Sequence, residues 1–171
     1  MIPIKTCDDC ARTMNKRSTL CCRPVEKKML RILIPVDGSE CSTRATRKLI
    51  ENLPAYRKRP QIDLLAVHLP VPKVPRMNLM VSKEMLADYY SEQCEAMLAP
   101  SRKALDAAGV KYQVHHQVGP IAESIVACAK KLGSTMICMG TRGMSAFANV
   151  VLGSTATKVV HNARIPVMLV H

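Results

Sequence analysis

The sequence has no tryptophan, one phenylalanine and four tyrosines among its 171 residues. Single-stranded nucleic acid is usually held by stacking bases on aromatic side chains, so this scarcity argues against that partner despite a net charge of +12. No apolar run approaches the ~20 residues that span a bilayer, and no membrane association is expected. The opening stretch, Met1-Ile-Pro-Ile-Lys-Thr-Cys-Asp-Asp, lacks an apolar segment of secretory length. The expected setting is therefore reducing and cytoplasmic. Acidic residues are also outnumbered: 8 basic face 3 acidic residues over 1–31, and 17 face 10 over the remainder. A positive field spread in this way suits an anionic nucleotide.

Eight cysteines are present. Cys41, Cys94, Cys128 and Cys138 fall inside helix-like or strand-like patterns and read as ordinary, mostly buried thiols. Cys7-x2-Cys10 and the adjacent Cys21-Cys22 stand apart in a basic segment, residues 1–28, read as a flexible extension. Four thiolates there have the makings of a zinc or redox interaction module, but neighbouring Cys21 and Cys22 do not share one ion in the relaxed geometry of a second Cys-x2-Cys.

Residues 29–171 read as one domain. Leu30 to Val36 is a nearly continuous apolar strand ending in Asp37-Gly38-Ser39, a turn cluster that leads into a helix from Glu40 to Leu53-Pro54. Ile62 to Leu69 reads as a second strand, followed by an extended loop imposed by Pro70, Pro72 and Pro75. Ser82 opens a long helix that Gly109 stops, and Pro100 is expected to kink or split it. Val110 to Val118 alternates as a third strand. Gly119-Pro120 starts a helix closed by Gly133, Met136 to Met139 is a fourth strand, Ser154 caps a last helix, and Ile165 to Val170 ends the domain as a fifth strand. Strands alternating with helices predict an α/β fold, an open and mostly parallel five-stranded sheet with helices on both faces. Ligands in such folds bind at the carboxyl ends of strands.

Two features lie at those ends. Gly140-Thr-Arg-Gly143 follows the fourth strand, and nine residues later Gly153-Ser154-Thr155 opens the last helix. Glycines permit close backbone approach, and a helix N-terminus offers unpaired N–H donors, so the pair forms a phosphate cradle. Arg142, inside the loop, is a candidate partner for phosphate charge. Asp37, at the end of the first strand, is a candidate ligand contact whose plainer role is helix capping. His115 and His116 are strand neighbours facing opposite ways, which argues against shared metal ligation, and His161 and His171 read as surface residues. No nucleophile, base and orienting group stand at a recognisable spacing.

These residues resemble the ATP-binding branch of the universal stress protein family. The matching pieces are Ile34-Pro-Val-Asp-Gly-Ser39, His68-Leu69, Gly119-Pro120, Met139-Gly-Thr-Arg-Gly143, Gly153-Ser154 and Ile165-Pro-Val-Met-Leu-Val170, which together include the Gly-x2-Gly-x9-Gly-Ser signature. The resemblance implies a Rossmann-like fold, similar to that of the adenine nucleotide alpha hydrolases, with strand order 3-2-1-4-5. It places Asp37 near the ribose and any Mg²⁺, with Pro35 beside it, and the backbone of Leu69 against adenine. Gly140 would lie along the ribose, and Gly143, Gly153, Ser154 and Thr155 would hold the phosphates. It also implies a homodimer through the last strand, Val167 to Val170. Thr135 departs from the family pattern, which commonly has an aspartate before the fourth strand, and residues 1–28 have no counterpart.

The expected function is that of a stress-response or signalling protein that binds ATP with Mg²⁺ and acts mainly through binding. The alternatives are slow ATP hydrolysis in the same pocket, and a zinc or redox module in residues 1–28.

Overall fold

The computed structural model describes residues 29–72, 82–143 and 152–171. Pro75 and the four N-terminal cysteines, with the metal and redox readings attached to them, lie outside the described residues. Five strands, β1 (Arg31–Val36), β2 (Gln61–His68), β3 (Tyr112–Val118), β4 (Met136–Gly140) and β5 (Val167–Val170), alternate with four helices, α1 (Glu40–Asn52), α2 (Lys83–Ala107), α3 (Ile121–Leu132) and α4 (Ser154–Asn162). The strands form one parallel sheet in the order β3-β2-β1-β4-β5, as expected.

Helices on both faces explain why β1 and β2 are apolar almost throughout. Ile32, Ile34, Ile62 and Leu64 point to the side that packs with Leu49 of α1 and Leu98 and Leu105 of α2. Leu33, Leu65 and Ile137 point the other way, onto Ile125 and Ala129 of α3 and Val159 of α4. All of these aliphatic side chains except Ala129 are at most 1% exposed. Each one buried contributes about 1.5–3 kcal/mol relative to solvent. A sheet covered on both faces leaves the strand ends open, and ligands in such folds bind there.

Two expectations change. Of the two outcomes expected at Pro100, a kink or a split, the split does not occur: α2 runs for 25 residues through it. Proline removes one helical hydrogen bond, but Cys94 and Leu98 before it and Ser101 and Leu105 after it are all buried, so both halves are held in register. Ser101 Oγ also lies 3.0 Å from Thr46 Oγ1 of α1, a buried polar pair that locks the two helices together. Secondly, Ser154 is the first residue of α4 and not its cap. The cap is Gly153, which has no side chain to supply a capping bond. β3 and β5 each begin two residues later than their apolar patterns suggest.

Thr135 takes over a tethering role at the start of β4. Its hydroxyl accepts from the Arg31 N–H at 2.9 Å and donates to the Arg31 carbonyl at 3.0 Å, and its own N–H reaches that carbonyl at 2.8 Å. Beneath this junction lies a buried carboxylate that periodicity did not single out. Asp63, fully buried on β2, receives Arg31 Nε at 2.6 Å and Nη2 at 2.8 Å, with His115 Nε2 2.8 Å away. Burial pushes its carboxyl up, but the hydrogen bonds from Arg31 and His115 outweigh that and hold it below the ordinary carboxylate range. His116, on the opposite face, pairs with Glu95 of α2 at 3.3 Å, as strand alternation requires.

Candidate functional site

A cavity of about 610 Å³ opens at the carboxyl ends of β1, β2 and β4, within the size range of small-molecule sites. Its lining contains all nine residues singled out as candidates: Pro35, Asp37, Leu69, Gly140, Arg142, Gly143, Gly153, Ser154 and Thr155. Beneath them the walls are apolar, supplied by Leu65 and Val67 of β2, Ile121 and Ile125 of α3, and Met139. The arrangement is thus polar on one side and greasy on the other.

Asp37 occupies the turn between β1 and α1. Its Oδ1 accepts from the Ser39 N–H at 3.0 Å, while Gly38 adopts a positive φ of 79°, and Ser39 Oγ caps α1 by accepting from Ser42 N at 3.2 Å. The capping role therefore belongs to Ser39. Asp37 uses one oxygen to shape the turn, and Oδ2 has no hydrogen-bond partner among the described residues.

The glycines of the loop work through close approach, since none of the three has a positive φ. A Cβ on Gly140 would come within 2.8 Å of the Cys41 carbonyl oxygen in the first turn of α1. On Gly143 it would stand 2.8 Å from Asp37 Oδ2, and on Gly153 3.2 Å from the Thr141 carbonyl oxygen. Gly140 thus lets α1 dock on β4, whereas Gly143 and Gly153 draw the acidic turn, the loop and α4 together. The Gly153 N–H donates to that Thr141 carbonyl at 2.7 Å, which fixes the start of α4 beside the loop.

Because Gly153 provides no capping side chain, the first-turn N–H groups at Ser154 and Thr155 point out of α4 without an intrahelical acceptor. Partial positive charge collects there. Arg142 adds a full charge at the same wall. Its Nε is buried and has no hydrogen-bond partner among the described residues, a state that costs about 1–3 kcal/mol unless something fills it. An anion at this point would satisfy both.

On the opposite side of the mouth, Leu69 is 54% exposed just beyond β2. Its carbonyl accepts from His68 Nδ1 at 2.6 Å. His68 in turn packs among Tyr89 and Tyr90 of α2, with ring centroids 5.6 and 5.3 Å away, and the Tyr90 hydroxyl receives the Val71 N–H at 2.7 Å. Sequence reading missed this aromatic buttress because its members come from different elements. It also missed Thr141, whose flanking glycines drew the attention.

No group of three or more His, Cys, Asp or Glu side chains suited to a metal ion occurs among the described residues. No described helix is long and apolar enough to cross a membrane.

Comparisons with known proteins agree with this architecture. A universal stress protein of Methanocaldococcus jannaschii is 30% identical over 142 residues, covering 82% of this chain and 81% of that protein. Another, from Mycolicibacterium smegmatis, is 30% identical over 145 residues, but this chain spans only 47% of its length. A solved structure of a hypothetical protein, whose biochemical function was assigned from its structure, superposes with a TM-score of 0.67 at 26% identity, over 82% of this chain and 94% of the other. The same fold, at 19% identity, occurs in a universal stress protein in complex with cAMP (TM-score 0.61) and in one from Archaeoglobus fulgidus in complex with dAMP (TM-score 0.56), each covering 83% of this chain. The model of the universal stress protein family matches residues 29–171, and the chain belongs to that family.

Proposed function

We propose that this protein binds an adenine nucleotide, ATP with Mg²⁺, in the cavity at the strand ends, and acts in a stress response through the bound state. The observation that carries the reading is the convergence of the uncapped N-terminus of α4, the buried Arg142 Nε, unpartnered among the described residues, and the glycine loop on one wall. Three kinds of donor aimed at one place suit a phosphate chain. Gly143, Gly153, Ser154 and Thr155 hold the phosphates by backbone and hydroxyl groups, and Arg142 offsets their charge. The Leu69 backbone borders the base, and Asp37, with Pro35 beside it, and Gly140 border the ribose.

Asp37 Oδ2 is the one carboxylate oxygen in the cavity lining without a partner among the described residues. A single carboxylate suits Mg²⁺, which keeps most of its waters and takes the rest of its ligands from phosphates. The ion would neutralise phosphate charge and fix the chain's orientation.

Free thiols at Cys41, Cys94, Cys128 and Cys138 fit the cytoplasmic setting we infer. A homodimer through Val167 to Val170 is supported by the position of β5 at the sheet edge, with Leu169 37% exposed. The reading is tested by releasing and weighing the small molecules that accompany the purified protein, followed by titration with ATP. An adenine nucleotide in the spectrum and saturable ATP binding are expected. A protein that carries none and does not bind added ATP would refute the proposal.

A further inference from the structure

The residue that follows β5 reaches back to the phosphate wall. His171 Nε2 lies 3.2 Å from Arg142 Nη2, and its Nδ1 lies 3.2 Å from Thr141 Oγ1. A guanidinium has donors only, so Nε2 must be the acceptor. The proton of the neutral ring is then on Nδ1, which donates to the Thr141 hydroxyl.

Thr141 is a firm anchor for this contact. It is only 9% exposed, its N–H donates to the Val170 carbonyl at 2.9 Å, and its carbonyl receives the Gly153 N–H at 2.7 Å. The imidazole therefore stands between a residue locked into the sheet and an arginine that lines the cavity. With Nη2 engaged by His171, Nε is the buried donor of Arg142 that lacks a partner among the described residues, and Nη1 is left for a ligand as well.

We propose that His171 is a positioning residue for anion binding: by accepting from Nη2 it holds the Arg142 guanidinium in place, so that its remaining donors serve a phosphate oxygen of the nucleotide. The inference rests on the nucleotide reading above and adds to it a preorganised arginine. A solvated arginine must give up rotamer freedom when it meets its ligand, and one already tethered has less to lose. His171 makes no contact with the nucleotide in this scheme, and its effect is confined to ligands that carry phosphate.

Calorimetric titration of the full chain with ATP and with adenosine separates this role from general support of the fold. In H171A, ATP affinity should fall about tenfold, the scale of one charged hydrogen bond, while adenosine affinity stays within about twofold. H171Q should recover most of the loss, because its amide offers an acceptor and a donor in one group. In an R142A background, H171A should cost ATP nothing further. Equal losses for ATP and adenosine, or unchanged ATP affinity in H171A, would overturn the positioning role. Should H171A fail to unfold cooperatively, H171Q and the nitrogen resonances of the His171 ring carry the test: an unprotonated Nε2 and protonated Nδ1 are expected, and the reverse tautomer overturns it. Should the unsubstituted protein bind neither ligand, the nucleotide reading falls and takes this role with it, whereas intact binding with an indifferent H171A removes this role alone.

Discussion

Asp37 and Gly143 meet at the mouth of the cavity, where the hydrogen of Gly143 occupies a place in which a Cβ would stand 2.8 Å from Asp37 Oδ2. The contact joins the turn after β1 to the loop after β4. It makes the acidic and glycine parts of the site interdependent.

Gly143→Ala should therefore act on binding more than on folding. The clash falls on the end of a side chain, which can rotate at the loss of the Asp37 to Ser39 hydrogen bond, worth about 1 kcal/mol. A small drop in unfolding free energy is expected, together with a loss of ATP affinity that is larger with Mg²⁺ than without it. Denaturant melts and parallel ATP titrations with and without the ion check both.

Gly140→Ala should do the opposite. Its Cβ would meet the Cys41 carbonyl oxygen at 2.8 Å and carbonyl carbon at 2.9 Å, atoms of helix backbone that cannot rotate aside. Overpacking of this kind costs about 1–3 kcal/mol. Urea unfolding should show that loss whether or not nucleotide is present.

The Asp63 cluster sets the acid limit of the fold. Its carboxyl is depressed in the folded protein relative to an unfolded value of about 3.9. The associated stability is present above that value and is lost as pH falls through the lower folded value. Stability should decline on acidification below about pH 4, and Asp63→Asn should flatten that decline. At neutral pH the same variant should lose about 3 kcal/mol, because the Arg31 guanidinium, 21% exposed, loses its ionic partner. Unfolding free energies of both proteins across pH 2–7 provide the measurement.

Burial pushes the Cys138 thiol up to about 12, so it has almost no reactive thiolate at neutral pH. Among the four described cysteines, half-buried Cys41 should alkylate first and Cys138 last. Timed labelling with iodoacetamide, read by peptide mass, gives the order.

What was legible in the sequence follows from how locally each signal is encoded. β1 and β4 are buried on both faces, so their apolar runs stand out, and the glycines mark where backbones come close. The sequence left open whether α2 continues through Pro100, because that depends on Leu98 and Leu105 packing against other elements. The cap of α4 was displaced by one residue because serine normally takes that role. Here a glycine holds it, and the N–H groups behind it stay available to a ligand. Asp63 looked like one polar residue in an apolar strand until Arg31 and His115 were brought to it from neighbouring strands. His171 read as a surface residue, and it is exposed, yet its two bonds to the loop arise only from the pairing of β4 with β5.

The glycine at the start of α4 offers the most direct test of nucleotide binding. Gly153→Val places branched bulk against the Thr141 carbonyl and the Arg142 Cα, 3.2 and 3.5 Å from the first added carbon, between the loop and the helix N-terminus. ATP titration of the unsubstituted protein should give saturable binding at one site per chain, and the variant, once shown by its thermal transition to be folded, should give none. Undiminished ATP affinity in a folded Gly153→Val protein would contradict the assignment of this wall to phosphate.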